Sequence, residues 1–139
     1  MFFRGGGSIL RKERRVYLRY EIELPVDIEM DEGNVSIKTV SKNISGGGIF
    51  VEVPVRPELF SQAILKIDFS NIGGGVKVIP AVVVHTLSKE SVNEQRSEVG
   101  LVFDTNDNEL RMEIDNCLRK AYPFERIKNK LKFFIKSLL

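Results

Sequence analysis

From Tyr20 onward apolar and polar residues alternate. Tyr20, Ile22, Leu24, Val26, Ile28 and Met30 fall on one face, and Glu21, Glu23, Asp27 and Glu29 on the other. A period of two predicts a half-buried strand. The segment Asp31 to Asn34 (DEGN) is turn chemistry, and Val35 to Val40 resumes the extended pattern, so the pair reads as a hairpin. Ile49, Val51 and Val53 alternate up to Pro54, and Ala63, Leu65, Ile67 and Phe69 alternate up to the loop Asn71 to Gly75 (NIGGG). Val76 to Leu87 is long and β-branched, with Pro80 predicting a bend or an edge position. A polar loop, SKESVNEQR, then leads to a last strand from Glu98 to Phe103.

The period changes after that. Leu110, Ile114, Leu118 and Ala121 recur at helical spacing, behind an Asn106/Glu109 pair that resembles a capping box. Asp107 and Glu109 lead this helix and Arg119 and Lys120 end it, as the macrodipole favours. Pro123 breaks it. A second amphipathic stretch follows, with Phe124, Ile127, Leu131, Phe134, Ile135 and Leu138 on one stripe. Such a stripe is expected to pack on its own domain or on a second protomer; an anionic membrane surface or a protein partner is the alternative. The pattern predicts a mainly β protein, a small six-stranded antiparallel barrel with a C-terminal helix and an amphipathic helical tail. The expected divisions are a flexible basic arm over 1–14, the barrel with its helix over 15–122, and the tail over 123–139.

Charge sharpens this picture. Residues 1–19 carry six bases and one acid, and 123–139 five bases and one acid. The chain's net charge is +2, so the intervening body is acidic, at −7. An acidic body with basic ends argues against a general nucleic-acid binder, and suits an anionic ligand met by one end. The single cysteine, Cys117, allows no internal disulfide. There is no apolar run of signal-peptide or transmembrane length, and the expectation is a cytoplasmic protein. No metal-ligand spacing and no nucleophile–base pair stands out, so a binding protein is expected rather than an enzyme, with neither metal nor cofactor. His85 reads as a core or edge histidine and Cys117 as a packed helix residue.

One stretch breaks the strand pattern: Lys42 to Phe50, KNISGGGIF. Three glycines in a row weaken a strand and need a reason. With the hairpin centred between Glu32 and Gly33, partner numbers sum to about 65, which sets Asn43 opposite about Ile22. The glycine stretch then lies beside the entry to the first strand, where Arg14, Arg15 and Arg19 sit. Arginine forks phosphates and stacks on aromatic rings, and Asn and Ser hydrogen-bond the edge of a base. The two stretches together suit a nucleotide carrying both purine and phosphate. Tyr17 and Tyr20 interleave with the arginines; Tyr20 fits the core-facing alternation and Tyr17 stays open.

Arg15-x-x-x-Arg19 followed by Asn43-x-Ser45-x-x-Gly48 resembles the PilZ domain, a bacterial receptor for cyclic di-GMP, whose signature is RxxxR followed by [D/N]xSxxG. The resemblance covers roughly Arg11 to Tyr122 and includes EVGLVF (Glu98 to Phe103) as a last strand. It implies that Arg15 and Arg19 hold phosphates and stack on guanine, with Arg14 adding a contact. It implies that Asn43 and Ser45 hydrogen-bond guanine and that Gly48 permits the turn. Arg11-x-x-x-Arg15 also fits RxxxR; Arg15 and Arg19 are preferred because Arg19 abuts the first strand. The expected function is a cyclic di-GMP receptor that passes a shape change to a downstream partner. Two alternatives are a PilZ-like interaction module that does not respond to the nucleotide, and a small-barrel binder of single-stranded nucleic acid.

Overall fold

The computed structural model describes residues 17–91 and 94–123. Arg14, Arg15, the 1–14 arm and the apolar stripe of the tail lie outside the described residues.

Six antiparallel strands close into a barrel: β1 (Pro25–Met30), β2 (Val35–Ile44), β3 (Gly48–Val53), β4 (Gln62–Asp68), β5 (Val76–Ser91) and β6 (Glu94–Phe103). Their order around the barrel is β1-β2-β3-β6-β5-β4, with β1 and β4 completing the ring. The alternation predicted from the sequence is the in–out alternation of the wall. Val26, Ile28, Leu65, Ile67, Val51 and Leu101 all point inward and are buried. A helix, α1 (Asn108–Ala121), follows β6 and buries Ile114 and Leu118 against this core. It reaches both the Ser70–Ile72 turn, through the Cys117 thiol and the Ile72 carbonyl, and Tyr20, through Tyr122 at a ring distance of 6.4 Å.

The β1–β2 hairpin has the predicted register: Pro25 faces Val40 and Met30 faces Val35. Beyond Pro25 the pairing slips by one, and Tyr20 meets Ile44. Ser41 explains the slip. Its buried hydroxyl accepts from the Leu24 amide (2.9 Å) and donates to the Ile22 carbonyl (2.6 Å), so a side chain replaces one rung of the ladder. A buried backbone group left unpaired there would cost about 1–3 kcal/mol. The slip brings the chain entering β1, with Arg19 on it, alongside the end of β2.

Three sequence expectations need adjustment. Pro80 lies within β5, paired with Ile64 of β4, and makes no bend. It is an edge residue only on its other side, where the β5–β6 ladder ends at Ala81 opposite Phe103 and no partner needs the missing amide. The polar SKESVNEQR stretch is mostly strand: β5 and β6 continue as a paired ribbon to Ser91 and Glu94. The helix cap is Asp107, whose carboxylate accepts from the Glu109 and Leu110 amides, and not Asn106. His85 is exposed and stands against the Phe50 ring at 5.7 Å; Cys117 is half-buried, with burial pushing its thiol pKa up.

Candidate functional site

Between β2 and β3 the chain turns through Ser45, Gly46 and Gly47, and the glycines have different reasons to be there. None needs a left-handed backbone; among described glycines only Gly33, Gly73 and Gly75 have positive φ. A Cβ on Gly46 would lie 2.7 Å from the Arg111 carbonyl of α1 and 2.9 Å from the Tyr17 ring. A Cβ on Gly48 would collide with the Leu101 carbonyl of β6. At Gly47 the nearest atoms, of Ser45 and Tyr17, are 3.8 Å away. Close approach, rather than the turn as such, requires glycine at 46 and 48. The expectation that Gly48 permits the turn is corrected in that sense.

Ser45 closes the corner. Its hydroxyl accepts from the Gly47 amide (3.1 Å), and its own amide donates to the Gly48 carbonyl (2.9 Å). The hydroxyl proton is left to donate elsewhere. The corner is tied to the end of β6 by the Phe103 amide, which donates to the Gly47 carbonyl at 3.0 Å.

A cleft of about 620 Å³ opens over this corner, within the range usual for small-ligand sites. Arg19, Asn43, Ser45 and Gly48 all line it, so the second arginine of the sequence motif meets the three specified residues of the other. Tyr17, left open by the sequence, forms part of the wall and packs on Gly46 and Gly47. The Arg19 guanidinium stands over the Phe50 ring, 5.7 Å from its centroid. Phe50 lies across β6 at Gly100, where a Cβ would sit 3.1 Å from the ring. Val84, the extra residue of a β-bulge between Val83 and His85, completes that side.

The electrostatics of the cleft are one-sided. Its described lining includes two cations, Arg19 and Arg111, and no carboxylate. Neither arginine makes an ion pair with a described residue. Neighbouring charges on the outer wall are neutralised instead. Glu52 takes Arg96 at 2.9 Å, with Lys42 and Lys89 close by, and these partners hold its pKa below the ordinary value. Glu98 is partly buried, which opposes ionisation, but Lys42 and Lys89 outweigh that and hold it low too. Arg19 and Arg111 of the cleft are left without such compensation among the described residues.

Phe50, Gly100, Val84 and Arg111 were missed by sequence reasoning. Gly100 carried a signal, as a glycine inside the otherwise apolar strand VGLVF. Arg111 carried another, as a base in the first half of a helix otherwise led by acids. Phe50 and Val84 carried none, because one depends on the facing strand and the other on a bulge.

The described residues form a closed six-stranded barrel, capped by one helix, with a cationic cleft at its glycine corner. The PilZ domain model matches residues 10–120, and the chain belongs to that family. Among solved structures, the chain is similar to the Bacillus subtilis inhibitor of motility MotI/DgrA, with TM-score 0.59 and 23% identity, over 81% of this chain and 53% of that one. It is similar to the PilZ domain of Escherichia coli YcgR with c-di-GMP, with TM-score 0.60 and 11% identity, over 86% and 97%. It is also similar to the K. pneumonia MrkH–c-di-GMP complex, with TM-score 0.59 and 16% identity, over 84% and 55%. The chain spans about half the length of MotI and MrkH. At these identities the likeness is one of fold. No curated protein matches the chain in sequence.

Proposed function

We propose that this chain is a receptor for cyclic di-GMP, which it binds in the cleft over the Ser45–Gly48 corner, and that it signals to a partner rather than catalysing a reaction. The observation that carries the reading is the meeting of Arg19, Asn43, Ser45 and Gly48, from two separate segments, in one cleft with no carboxylate among its described lining. Such a cleft attracts a dianion and repels few of its parts. Arg19 is steadied by Phe50 and offers a flat, forked cation to a phosphate or a purine face. Asn43 and the Ser45 hydroxyl offer hydrogen bonds to a base edge. Membership of the PilZ family, and the c-di-GMP named with YcgR and MrkH, support the choice of ligand.

Arg15, with Arg14 beside it, completes the site from the N-terminal arm in this reading. The ligand draws the arm across itself, and the partner reads the arm's new position, while the closed barrel stays as it is. A cytoplasmic location is part of the same proposal, in keeping with membership of the PilZ family. Among the described residues no helix is long and apolar enough to cross a membrane, and no cluster of acidic, histidine or cysteine side chains could hold a metal ion.

Calorimetric titration with cyclic di-GMP, with GTP and cyclic GMP as controls, tests the reading. Selective binding is expected, weakened by about 2–4 kcal/mol in Arg15→Ala or Arg19→Ala and by about 1–2 kcal/mol in Ser45→Ala. Unchanged titrations in both arginine variants, with circular dichroism intact, would remove the site assignment. Broad affinity for oligonucleotides with a steep salt slope would favour a single-strand binder instead.

A further inference from the structure

Arg111 is costly to the fold as it stands. It is the fourth residue of α1, where a cation opposes the positive end of the helix dipole. Among the described residues its guanidinium has one hydrogen bond, from Nη2 to the Phe103 carbonyl at 2.9 Å, and its Nε is buried with no partner. No described carboxylate balances its charge. Half-buried arginines are ordinarily paired, because an orphaned donor and an uncompensated charge both disfavour burial. Nothing in the packing of α1 calls for arginine here; Ile114 and Leu118 supply the helix's grip on the core. Local rules broken together at one residue point to a binding role.

That residue lines the cleft. We propose that Arg111 is a ligand-binding residue, which takes a phosphate oxygen of the bound nucleotide from the helix side of the cleft. The proposal rests on the receptor reading and adds to the site a contact from a third part of the chain. An anion there removes each of the costs above: it pairs the charge, gives the guanidinium's unused donors an acceptor, and suits the helix end. The single bond to a neutral carbonyl leaves Arg111 little to give up when it turns toward the ligand. Its backbone is held meanwhile, since the Arg111 carbonyl abuts Gly46 of the corner. One ligand held by Arg19, Ser45 and Arg111 would clamp the entry to β1, the corner and α1 to each other.

The test is calorimetric titration of full-length wild type, Arg111→Gln and Arg111→Lys with cyclic di-GMP, beside thermal melts without ligand. Arg111→Gln is expected to bind roughly 10- to 100-fold more weakly, the range for loss of one charge-assisted hydrogen bond. Arg111→Lys should fall between, since it keeps the charge but loses the fork. Unliganded melting of Arg111→Gln should equal or exceed that of wild type, which a purely structural arginine would not allow. Equal affinity in wild type and Arg111→Gln would overturn the proposal. If wild type does not bind cyclic di-GMP, the receptor reading fails by itself. Arg111 is then decided by inorganic pyrophosphate, followed at the arginine Nε–H resonance that Arg111→Gln removes. A saturable shift of that resonance supports an anion contact, and an unmoved resonance overturns it.

Discussion

Three adjacent glycines that look alike in sequence should respond to alanine in three different ways. At Gly48 the new methyl meets the Leu101 backbone carbonyl, which no rotamer can move aside. Strands β3 and β6, about 4.8 Å apart in a regular ladder, would have to part by on the order of 0.5–1 Å. That strains the rungs around Gly48 and Val102 and the Phe103–Gly47 bond beside them. Overpacking of this kind costs about 1–3 kcal/mol and one weakened hydrogen bond about 1 kcal/mol, so Gly48→Ala should lose about 2–4 kcal/mol. At Gly46 the neighbours are a helix carbonyl at 2.7 Å and a tyrosine ring at 2.9 Å, and the ring can yield. About 1–2 kcal/mol is expected there. At Gly47 there is room and no positive φ, so alanine should be neutral or stabilising by up to about 1 kcal/mol, through a stiffer unfolded chain. Urea denaturation of the three variants reads this directly. With an m-value of about 2 kcal/mol/M, Gly48→Ala should lower the midpoint by about 1–2 M and Gly47→Ala should not lower it. A Gly47→Ala loss as large as that of Gly48→Ala would refute the close-approach account of the corner.

Other outcomes follow from the same structure. Phe50→Leu should weaken cyclic di-GMP binding about two- to five-fold by calorimetry, because Arg19 loses a ring contact worth about 0.5–1 kcal/mol at an exposed site. Asp107→Ala removes the acceptor for two helix amides and should cost about 1 kcal/mol, read as a fall of about 3 °C in melting temperature. Glu52 and Glu98 have depressed pKa values, so the stability they contribute is present above the ordinary carboxylate pKa and is lost as pH falls through their lower folded values. A Glu52→Gln/Glu98→Gln variant should accordingly lose less stability than wild type between about pH 5 and pH 3 in acid titration by circular dichroism. Hydrogen exchange in the presence of ligand should protect amides from about Arg11 to Tyr20 and Asn43 to Gly48, with the strands nearly unchanged.

The wall of the barrel was legible because a closed sheet with one wet face writes itself as a period of two. Tyr20 to Met30 and Ala63 to Phe69 could be placed on the inner face residue by residue. The hairpin register followed from turn position alone, to within the one-residue slip that Ser41 introduces. The continuation of β5 and β6 past Leu87 was hidden because its residues are almost all polar and look like loop, even though Ser97 within it is buried. The cap at Asp107 was missed because Asn106 and Glu109 satisfied the same pattern one position out. Arg19, Asn43, Ser45 and Gly48 were visible as paired motifs. Phe50 acts through a facing strand that is distant in sequence and nothing local marks it, whereas Arg111 is marked only by its charge near the start of an acid-led helix.

Phe103 offers a way to watch the site without touching it. Its ring is sealed in the core, its amide proton is held by the Gly47 carbonyl, and its own carbonyl is held by Arg111. The exchange rate of that one proton measures how often the corner lifts from the last strand. The carbon-13 shift of the adjoining carbonyl measures how often Arg111 lets go. Two spectroscopic signals from a single residue, neither of them on a group that lines the floor of the corner, separate the opening of the corner from the release of the helix arginine. Their order in time, followed through a ligand titration, is the sequence of events by which the site closes.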